Sequence, residues 1–153
     1  MSLILLNLDN PETPYLQDVD MRKALLHGIN RQYMVDHINQ GQAIIADGPI
    51  FPKTWAYYDN IPRYEFDPEK AVEIIRDLGY TFPGEGGLAR TNEDGDRLSI
   101  ELIYPETGLH TQLAQAIQEN WTALGYDVTL LSLPYQEVLN RLDYRDFEAA
   151  LVD

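Results

Sequence analysis

A short polar segment between a predicted strand and a predicted helix holds the residues best placed for binding chemistry. It reads Tyr104-Pro105-Glu106-Thr107-Gly108-Leu109-His110. We expect His110 in the first turn of the helix, where backbone N–H groups without an intrahelical partner attract carboxylate or phosphate. The positive end of the helix dipole disfavours a protonated imidazole, so a neutral His110 could donate a hydrogen bond to such an anion. An exposed histidine without a role fits the same residues equally well.

Two strands and a helix must position this segment. Residues 98–104 alternate apolar and polar side chains, which is the period of a half-buried strand, and residues 128–133 form a second strand. Between them, one helix face carries the apolar residues Leu109, Leu113, Ile117 and Leu124. A strand-helix-strand unit of this length joins two parallel strands by a right-handed crossover. Ligands of open α/β sheets bind at the carboxyl ends of such strands, which is the edge that holds Tyr104 and His110.

Other patterns of catalytic or metal-binding residues are weak. The chain has no cysteine, which removes disulfides, cysteine–zinc sites and thiol catalysis. None of its serines lies in a Gly-x-Ser-x-Gly elbow, and no spacing singles out a catalytic pair of carboxylates. The glycine-rich segment 84–87 lacks the flanks of a phosphate loop, and segment 92–96 lacks the ligand spacing of a calcium loop. The scattered histidines argue against a metal site. We expect no catalytic residue, metal or cofactor.

The charge composition restricts the partners. Asp and Glu number 25 against 11 Lys and Arg, giving a formal net charge of −14. This charge opposes binding to nucleic acid and to anionic membrane surfaces. A solvated acidic surface explains it more simply than an acidic site for a basic partner. No apolar run approaches the roughly 20 residues of a membrane span.

The apolar start of the chain predicts a strand that ends at Leu8. It is too short for a signal peptide and lacks the basic residues that begin one. Residues 1–3 are candidates for a remnant of an expression vector. The closing strand, 147–153, ends without a turn or a polar tail, so we expect a fragment of a larger protein.

Local signals mark the remaining elements. The predicted helix starts are Asp18 or Asp20, Asn30, and Asp67 followed by Pro68. The tripeptide Leu-Gly-Tyr ends two helices, at 78–80 and 124–126, where glycine takes a left-handed conformation. A hairpin turn is predicted at Asp94-Gly95. Pro134 can open the last helix.

The segment 42–66 has no clear hydrophobic period. It contains prolines, one tryptophan and three tyrosines: Trp55, Tyr57, Tyr58 and Tyr64. A loop of this length in a compact domain is either functional or packed down by its own side chains. We expect the packed form with Trp55 as its anchor, in which case Trp55→Ala lowers the free energy of unfolding by about 3 kcal/mol or more.

Five segments, in this order, resemble the extracytoplasmic solute-binding proteins of peptide and nickel ABC importers, family 5. Asp67-Pro68-Glu69-Lys70-Ala71, for example, is similar to the family's helix start "D-P-x-K-A". The segments that carry the resemblance are 18–31, 46–55, 67–80, 93–98 and 147–151. Together they cover nearly the whole chain. The resemblance implies an α/β fold, with residues 1–153 forming a single lobe of a two-lobed, type II periplasmic-binding-protein-like fold. The lobe would be a small mixed sheet flanked by helices.

The same resemblance implies a function. The full protein would capture a peptide or other small solute outside the cytoplasmic membrane, close on it by hinge motion, and deliver it to the importer's membrane subunits. It could be attached to the membrane as a lipoprotein. His110 aligns with a histidine that meets the ligand carboxyl group in some oligopeptide binders, and Tyr104 lies on the same edge. A His110 buried within the lobe would count against that role. The family's amine-binding aspartate follows the position of Asp153, which is a different residue.

Two other classes of function stay open at this point. The acidic composition could hide a carboxylate-dependent hydrolase, although we expect a protein that is not an enzyme. The loop from Gly48 to Tyr64 could instead dock a partner protein, which a large exposed aromatic patch would favour. The identity of the solute, whether peptide, nickel chelate or oligosaccharide, cannot be read from these residues.

Overall fold

A four-stranded mixed sheet organises the chain. The computed structural model describes residues 2–48, 50, 54–58, 60–83 and 89–153. The strands are β1 (Leu3–Leu6), β2 (Ser99–Pro105), β3 (Asp127–Leu133) and β4 (Ala149–Val152). Their order across the sheet is β1-β4-β2-β3, with β4 and β3 parallel to β2 and β1 antiparallel to β4. The small mixed sheet and the parallel pairing of β2 with β3 were both predicted.

Helices cover the two faces of the sheet unequally. The helices are α1 (Val19–His27), α2 (Arg31–Tyr33), α3 (Pro68–Asp77), α4 (Gly108–Leu124) and α5 (Tyr135–Asp143). The main core lies between one face of the sheet and helices α1, α3 and α4. On the opposite face, α5 alone buries a smaller cluster around Ile103, Val138 and Ala150. Helix α4 has 17 residues whereas α5 has nine.

The predicted helix starts are confirmed at the level of hydrogen bonds. The Asp18 carboxylate accepts from the N–H groups of Asp20 and Met21, which selects Asp18 over Asp20 as the first cap. The Asn30 side chain accepts from Tyr33 N–H, and the Asp67 side chain accepts from Lys70 N–H. Each cap satisfies a donor that the helix leaves unpaired.

The two Leu-Gly-Tyr segments end α3 and α4 with the same backbone geometry. Gly79 and Gly125 have φ of 89° and 98°, a region that side chains other than glycine rarely adopt. The following tyrosine N–H donates back to the helix in each case, Tyr80 to Ile75 O and Tyr126 to Trp121 O, both at 3.1 Å. Each helix therefore ends in a Schellman motif, in which backbone hydrogen bonds from the residues after the helix turn the chain back over its last turn.

A buried arginine joins these two helix ends, and the sequence analysis missed it. Arg90 is 7% exposed; its Nε donates to Leu124 O at 2.8 Å and its Nη1 to Tyr80 O at 3.4 Å. The Phe82 ring lies 4.4 Å from its guanidinium carbon. Helix carboxyl ends carry partial negative charge, so they stabilise the buried cation. Burial lowers the pKa of Arg90, and the charge of Arg76 lowers it further.

After α2 the chain continues as a π-helical turn, Met34–Ile38, and then enters the segment 42–66. No helix or strand occurs in the described part of that segment. Trp55 is 99% exposed, so the prediction that it anchors a packed loop is wrong. Contacts with His27, the last residue of α1, hold the end of the segment instead. His27 Nδ1 lies 2.8 Å from Glu65 O, and the rings of His27 and Tyr64 pack edge to face. The glycine-rich segment 84–87 lies outside the described residues.

Candidate functional site

Ends of the strands β1, β2, β3 and β4 lie together at one edge of the sheet. The carboxyl ends of β2, β3 and β4 lie there because these strands are parallel, and the amino end of β1 joins them because it is antiparallel to β4. Helix α4 begins at this edge directly after β2. The edge is the one predicted from the sequence to bind a ligand.

Thr107 shapes the start of α4. Its Oγ1 atom accepts a hydrogen bond from His110 N–H at 3.2 Å, and its carbonyl accepts from the Thr111 hydroxyl at 2.9 Å. Before it, Glu106 N–H donates to Leu133 O, which ties the bend to the end of β3. These bonds fix the bend on both sides, so the helix start is presented by rigid backbone.

His110 is buried at this edge, with 7% exposure. Its Nδ1 atom lies 2.8 Å from Thr107 Oγ1, and its Nε2 atom lies 3.3 Å from Asp153 Oδ2. If the Thr107 hydroxyl donates to Nδ1, the proton of a neutral imidazole is assigned to Nε2, facing Asp153. Within the described residues, Nε2 has no well-aligned hydrogen-bond acceptor. His110 is thus buried within the lobe, which counts against its direct contact with a ligand.

Asp153 is the exposed end of this cluster. Its side chain is half exposed; Oδ1 accepts from the Ser2 hydroxyl at 2.7 Å while Oδ2 faces His110. Asp153 differs from the amine-binding aspartate of the family, and no pattern in the sequence gives it a role of its own. The signal that could have found it is the strand-helix-strand order from 128 to 153, which makes β4 parallel to β2 and β3 and brings Asp153 to the same edge.

Tyr104 is also buried, with 6% exposure, and belongs to the main core. It pairs in register with Ser132 of β3, one residue before β2 ends. The structure therefore places both predicted site residues, Tyr104 and His110, at the expected edge but beneath its surface.

A groove of about 1020 Å³ adjoins the edge. Its walls include Ser2, the first residue of β1 (Leu3), Leu113 one turn along α4 from His110, and the loop 41–48. Most of its helical lining is apolar, from Leu26, Met34 and Val35. A concave apolar surface with polar groups at one end is the usual form of a small-molecule site.

Ion pairs hold the outer wall of this groove. Arg31 Nη1 lies 3.2 Å from Asp47 Oδ1, and Arg31 Nη2 donates to Tyr64 O at 2.5 Å. Arg63 Nε lies 3.6 Å from the other Asp47 oxygen. Because the Asp47 side chain is mostly buried, these bonds fix loop 41–48 to the start of α2, where Arg31 lies. Within the part of the chain that the structure describes, no group of three or more His, Asp or Glu side chains is arranged to hold a metal ion.

Comparison with known proteins shows the family. The whole chain, residues 1–153, matches the family described as "Bacterial extracellular solute-binding proteins, family 5 Middle". The chain belongs to this family. The resemblance read from the five sequence segments is thereby confirmed, and with it the α/β fold.

Characterised relatives in the family are similar over most of this chain. A dipeptide-binding protein of Escherichia coli is 26% identical over 132 residues, which are 86% of this chain and 23% of the relative. The oligopeptide-binding protein OppA of Bacillus subtilis is 30% identical over 141 residues, or 91% and 25%. This family 5 chain thus spans about a quarter of the length of these relatives.

The fold of the chain also recurs in solved structures. The oligopeptide-binding protein AppA from Bacillus subtilis, in complex with a nonapeptide, has a TM-score of 0.89 at 21% identity. NikA from Brucella suis, in complex with Fe(III)-EDTA, has a TM-score of 0.85 at 23% identity. Each comparison covers 99% of this chain and 30% of the other. At such identities the similarity shows the fold alone.

Proposed function

We propose that this chain forms one lobe of a substrate-binding protein of an ABC importer, and that its solute is a dipeptide or oligopeptide. The observation that carries the proposal is the rigid polar edge beside an apolar groove, in a chain of family 5 whose relatives include peptide-binding proteins. The second lobe would close over the same edge, and the importer's membrane subunits would receive the solute.

The protein would act as a binder outside the cytoplasmic membrane, attached there as a lipoprotein or free. Its named relatives are binding proteins rather than enzymes, which supports binding over a carboxylate-dependent hydrolase. In the part of the chain that the structure describes, no helix is long and apolar enough to span a bilayer.

At the residue level, we propose that His110 acts through Asp153. The Asp153 carboxylate is the group at this edge that a solute would meet first, because its side chain is 51% exposed whereas that of His110 is 8% exposed. A carboxylate suits an ammonium or N–H donor of the ligand. The alternative is the contact expected from the sequence, in which His110 Nε2 and the start of α4 bind a ligand carboxyl group after Asp153 moves aside.

Binding of a peptide and of its carboxyl-terminal amide separates these two roles. Calorimetry would use the full protein containing this lobe, with the variants His110→Ala and Asp153→Asn and the exposed His37→Ala as control. If His110 positions Asp153, both variants weaken both ligands, by about 1 to 3 kcal/mol for the loss of a charged partner. If His110 binds the ligand carboxyl group, its removal weakens only the free acid. Unchanged affinity in both variants would remove this edge from the binding site.

A second candidate function is an interaction role for the aromatic loop. Trp55 and Tyr58 are 99% and 66% exposed, which favours contact with a solute or a partner. Since Trp121 is buried, a shift of fluorescence on binding would report Trp55. The shift should disappear in Trp55→Ala; an unchanged spectrum in the presence of solute and importer would contradict this role.

A further inference from the structure

His110 is a titratable side chain enclosed between a hydroxyl and a carboxylate. Its side chain is 8% exposed, with Nδ1 2.8 Å from Thr107 Oγ1 and Nε2 3.3 Å from Asp153 Oδ2. Histidine ordinarily changes its charge near pH 6.5, whereas an aspartate is ionised at that pH. A change in the charge of His110 acts directly on two groups that the edge presents to solvent, since Thr107 is exposed and Asp153 is half exposed.

With a neutral imidazole, the His110–Asp153 pair carries one net negative charge. The Thr107 hydroxyl donates inward to Nδ1, and the proton on Nε2 faces the Asp153 carboxylate. The carboxylate keeps its charge, and its exposed surface can accept an ammonium or N–H group of a ligand. In this state the edge suits the cationic amino end of a peptide.

A charged imidazole changes both contacts. Both ring nitrogens of His110 then carry protons and can only donate. Nε2–H pairs with the Asp153 carboxylate, so the net charge of the pair falls to zero. Nδ1–H donates to Thr107 Oγ1, which already accepts from His110 N–H at 3.2 Å, and the hydroxyl proton must therefore turn outward. The edge then offers a hydrogen-bond donor in place of a free carboxylate.

Within the described residues, Asp153 is the charged group that faces His110 from the elements packed against α4. Glu101 and Asp127 lie near the starts of β2 and β3, at the opposite edge of the sheet. Glu106, in the bend before α4, is exposed. The charged residues of α3 and of the π-helical turn are exposed as well: Glu69, Lys70, Glu73, Arg76, Asp77, Asp36 and His37. The positive end of α4 opposes a charge on His110, while Asp153 favours it.

We propose that protonation of His110 is a pH switch that regulates which end of a peptide this edge prefers. When His110 is neutral, the edge binds the amino end; when His110 is charged, the edge releases that end and favours a carboxyl end. The switch needs no movement of the backbone, because hydrogen bonds at the start of α4 hold Thr107 and His110 in place. This inference rests on the proposed function, since it assigns a regulation to the same edge.

Calorimetry on the full protein tests the switch with two probes. The alanine tripeptide amide carries only an amino charge, and the N-acetyl alanine tripeptide carries only a carboxyl charge. Both keep that charge between about pH 5.5 and pH 7, because α-amino groups titrate near 8 and α-carboxyl groups near 3.5. From pH 7 to pH 5.5, we expect the affinity for the amide to fall by about tenfold, as for the loss of a charged partner, and that for the acetylated peptide not to fall.

The variant His110→Gln keeps polar side-chain atoms but cannot ionise, so it should remove this pH dependence. The exposed His37→Ala should retain it and is the matched control. Equal affinity of the amide at both pH values in the wild type would overturn the proposal. The same pH dependence in His110→Gln would also overturn it, because another group would then be responsible. Circular dichroism would show that each variant retains its fold.

An NMR titration of the 153-residue chain tests the switch without any ligand. We expect the ring signals of His110, assigned by their absence in His110→Gln, to report a gain of charge between about pH 7 and pH 5, the usual range for histidine. A His110 ring that stays neutral at the lower pH would overturn the proposal. If neither probe bound the wild-type protein at any pH, the proposed function would be contradicted, and this titration alone would decide the switch.

Discussion

At the residue scale, Glu148 directs its carboxylate at the backbone of a neighbouring strand. It lies just before β4, and its Oε2 atom accepts a hydrogen bond from Glu101 N–H at 2.6 Å. Burial raises the pKa of Glu148, and the nearby carboxylates of Glu101 and Glu12 raise it further, while the backbone hydrogen bond lowers it. A partly buried carboxylate among like charges is costly to ionise.

This shift predicts a pH dependence of stability. Because the pKa of Glu148 is higher in the folded state, its favourable contribution is fully present below the unfolded pKa and is lost as the pH rises through the folded pKa. Glu148→Gln keeps an acceptor for Glu101 N–H but cannot ionise. We expect the variant to have a higher free energy of unfolding than the wild type at pH 7, and the difference to shrink as the medium becomes acidic.

Urea unfolding across this pH range would measure the effect. Glu119→Gln, at an exposed position, changes the net charge equally and is the matched control. A stability gain of the same size in both variants would mean that the overall charge of −14 is responsible, rather than the surroundings of Glu148.

The sequence predicts where His110 lies in its helix but not which side chains surround it. His110 follows a cap and a bend, so its place in the first turn of α4 could be predicted from local residues. Its approach to Asp153 could not, because Asp153 is 43 positions further along and reaches the edge only through the pairing of β4 with β2. Contacts distant in sequence escape any reasoning from spacing.

At the element scale, helix starts and ends were the most predictable features. Asp18, Asn30 and Asp67 cap α1, α2 and α3 with side chains that reach the next turn, and Gly79 and Gly125 end α3 and α4. Such signals act within a few residues. The loop 42–66 has no comparable local signal, so its sequence does not show that the Trp55 side chain is exposed.

The two tryptophans should therefore differ in their effect on stability. Trp121 is 1% exposed in the main core, and its Nε1 donates to Leu25 O at 3.1 Å. We expect Trp121→Ala to lower the free energy of unfolding by about 3 kcal/mol or more, because it leaves a cavity and an unpaired carbonyl. Trp55→Ala should change it by less than about 0.5 kcal/mol, as at other surface positions.

Chemical denaturation followed by circular dichroism gives both values without relying on tryptophan fluorescence. A large loss in Trp55→Ala would show that its ring is packed after all and would restore the original expectation from the sequence. A small loss in Trp121→Ala would contradict the placement of α4 against α1.

At the scale of the whole molecule, α1, α3 and α4 pack on one face of the sheet and α5 packs on the other, while the polar edge lies beside an open groove. Each incomplete surface fits a lobe that functions with further polypeptide. A site enclosed by two lobes gains its affinity from burial on both sides, so one lobe leaves about half of a ligand in solvent.

The most direct test is calorimetric titration of a peptide library into this 153-residue chain and into the full protein that contains it. We expect saturable binding near micromolar affinity for the full protein and none in that range for the chain alone. The lobe should nevertheless fold, which its circular dichroism spectrum would show. Tight, specific binding by the chain alone would contradict the account of a half-site. Failure of the full protein to bind any peptide would contradict the proposed solute.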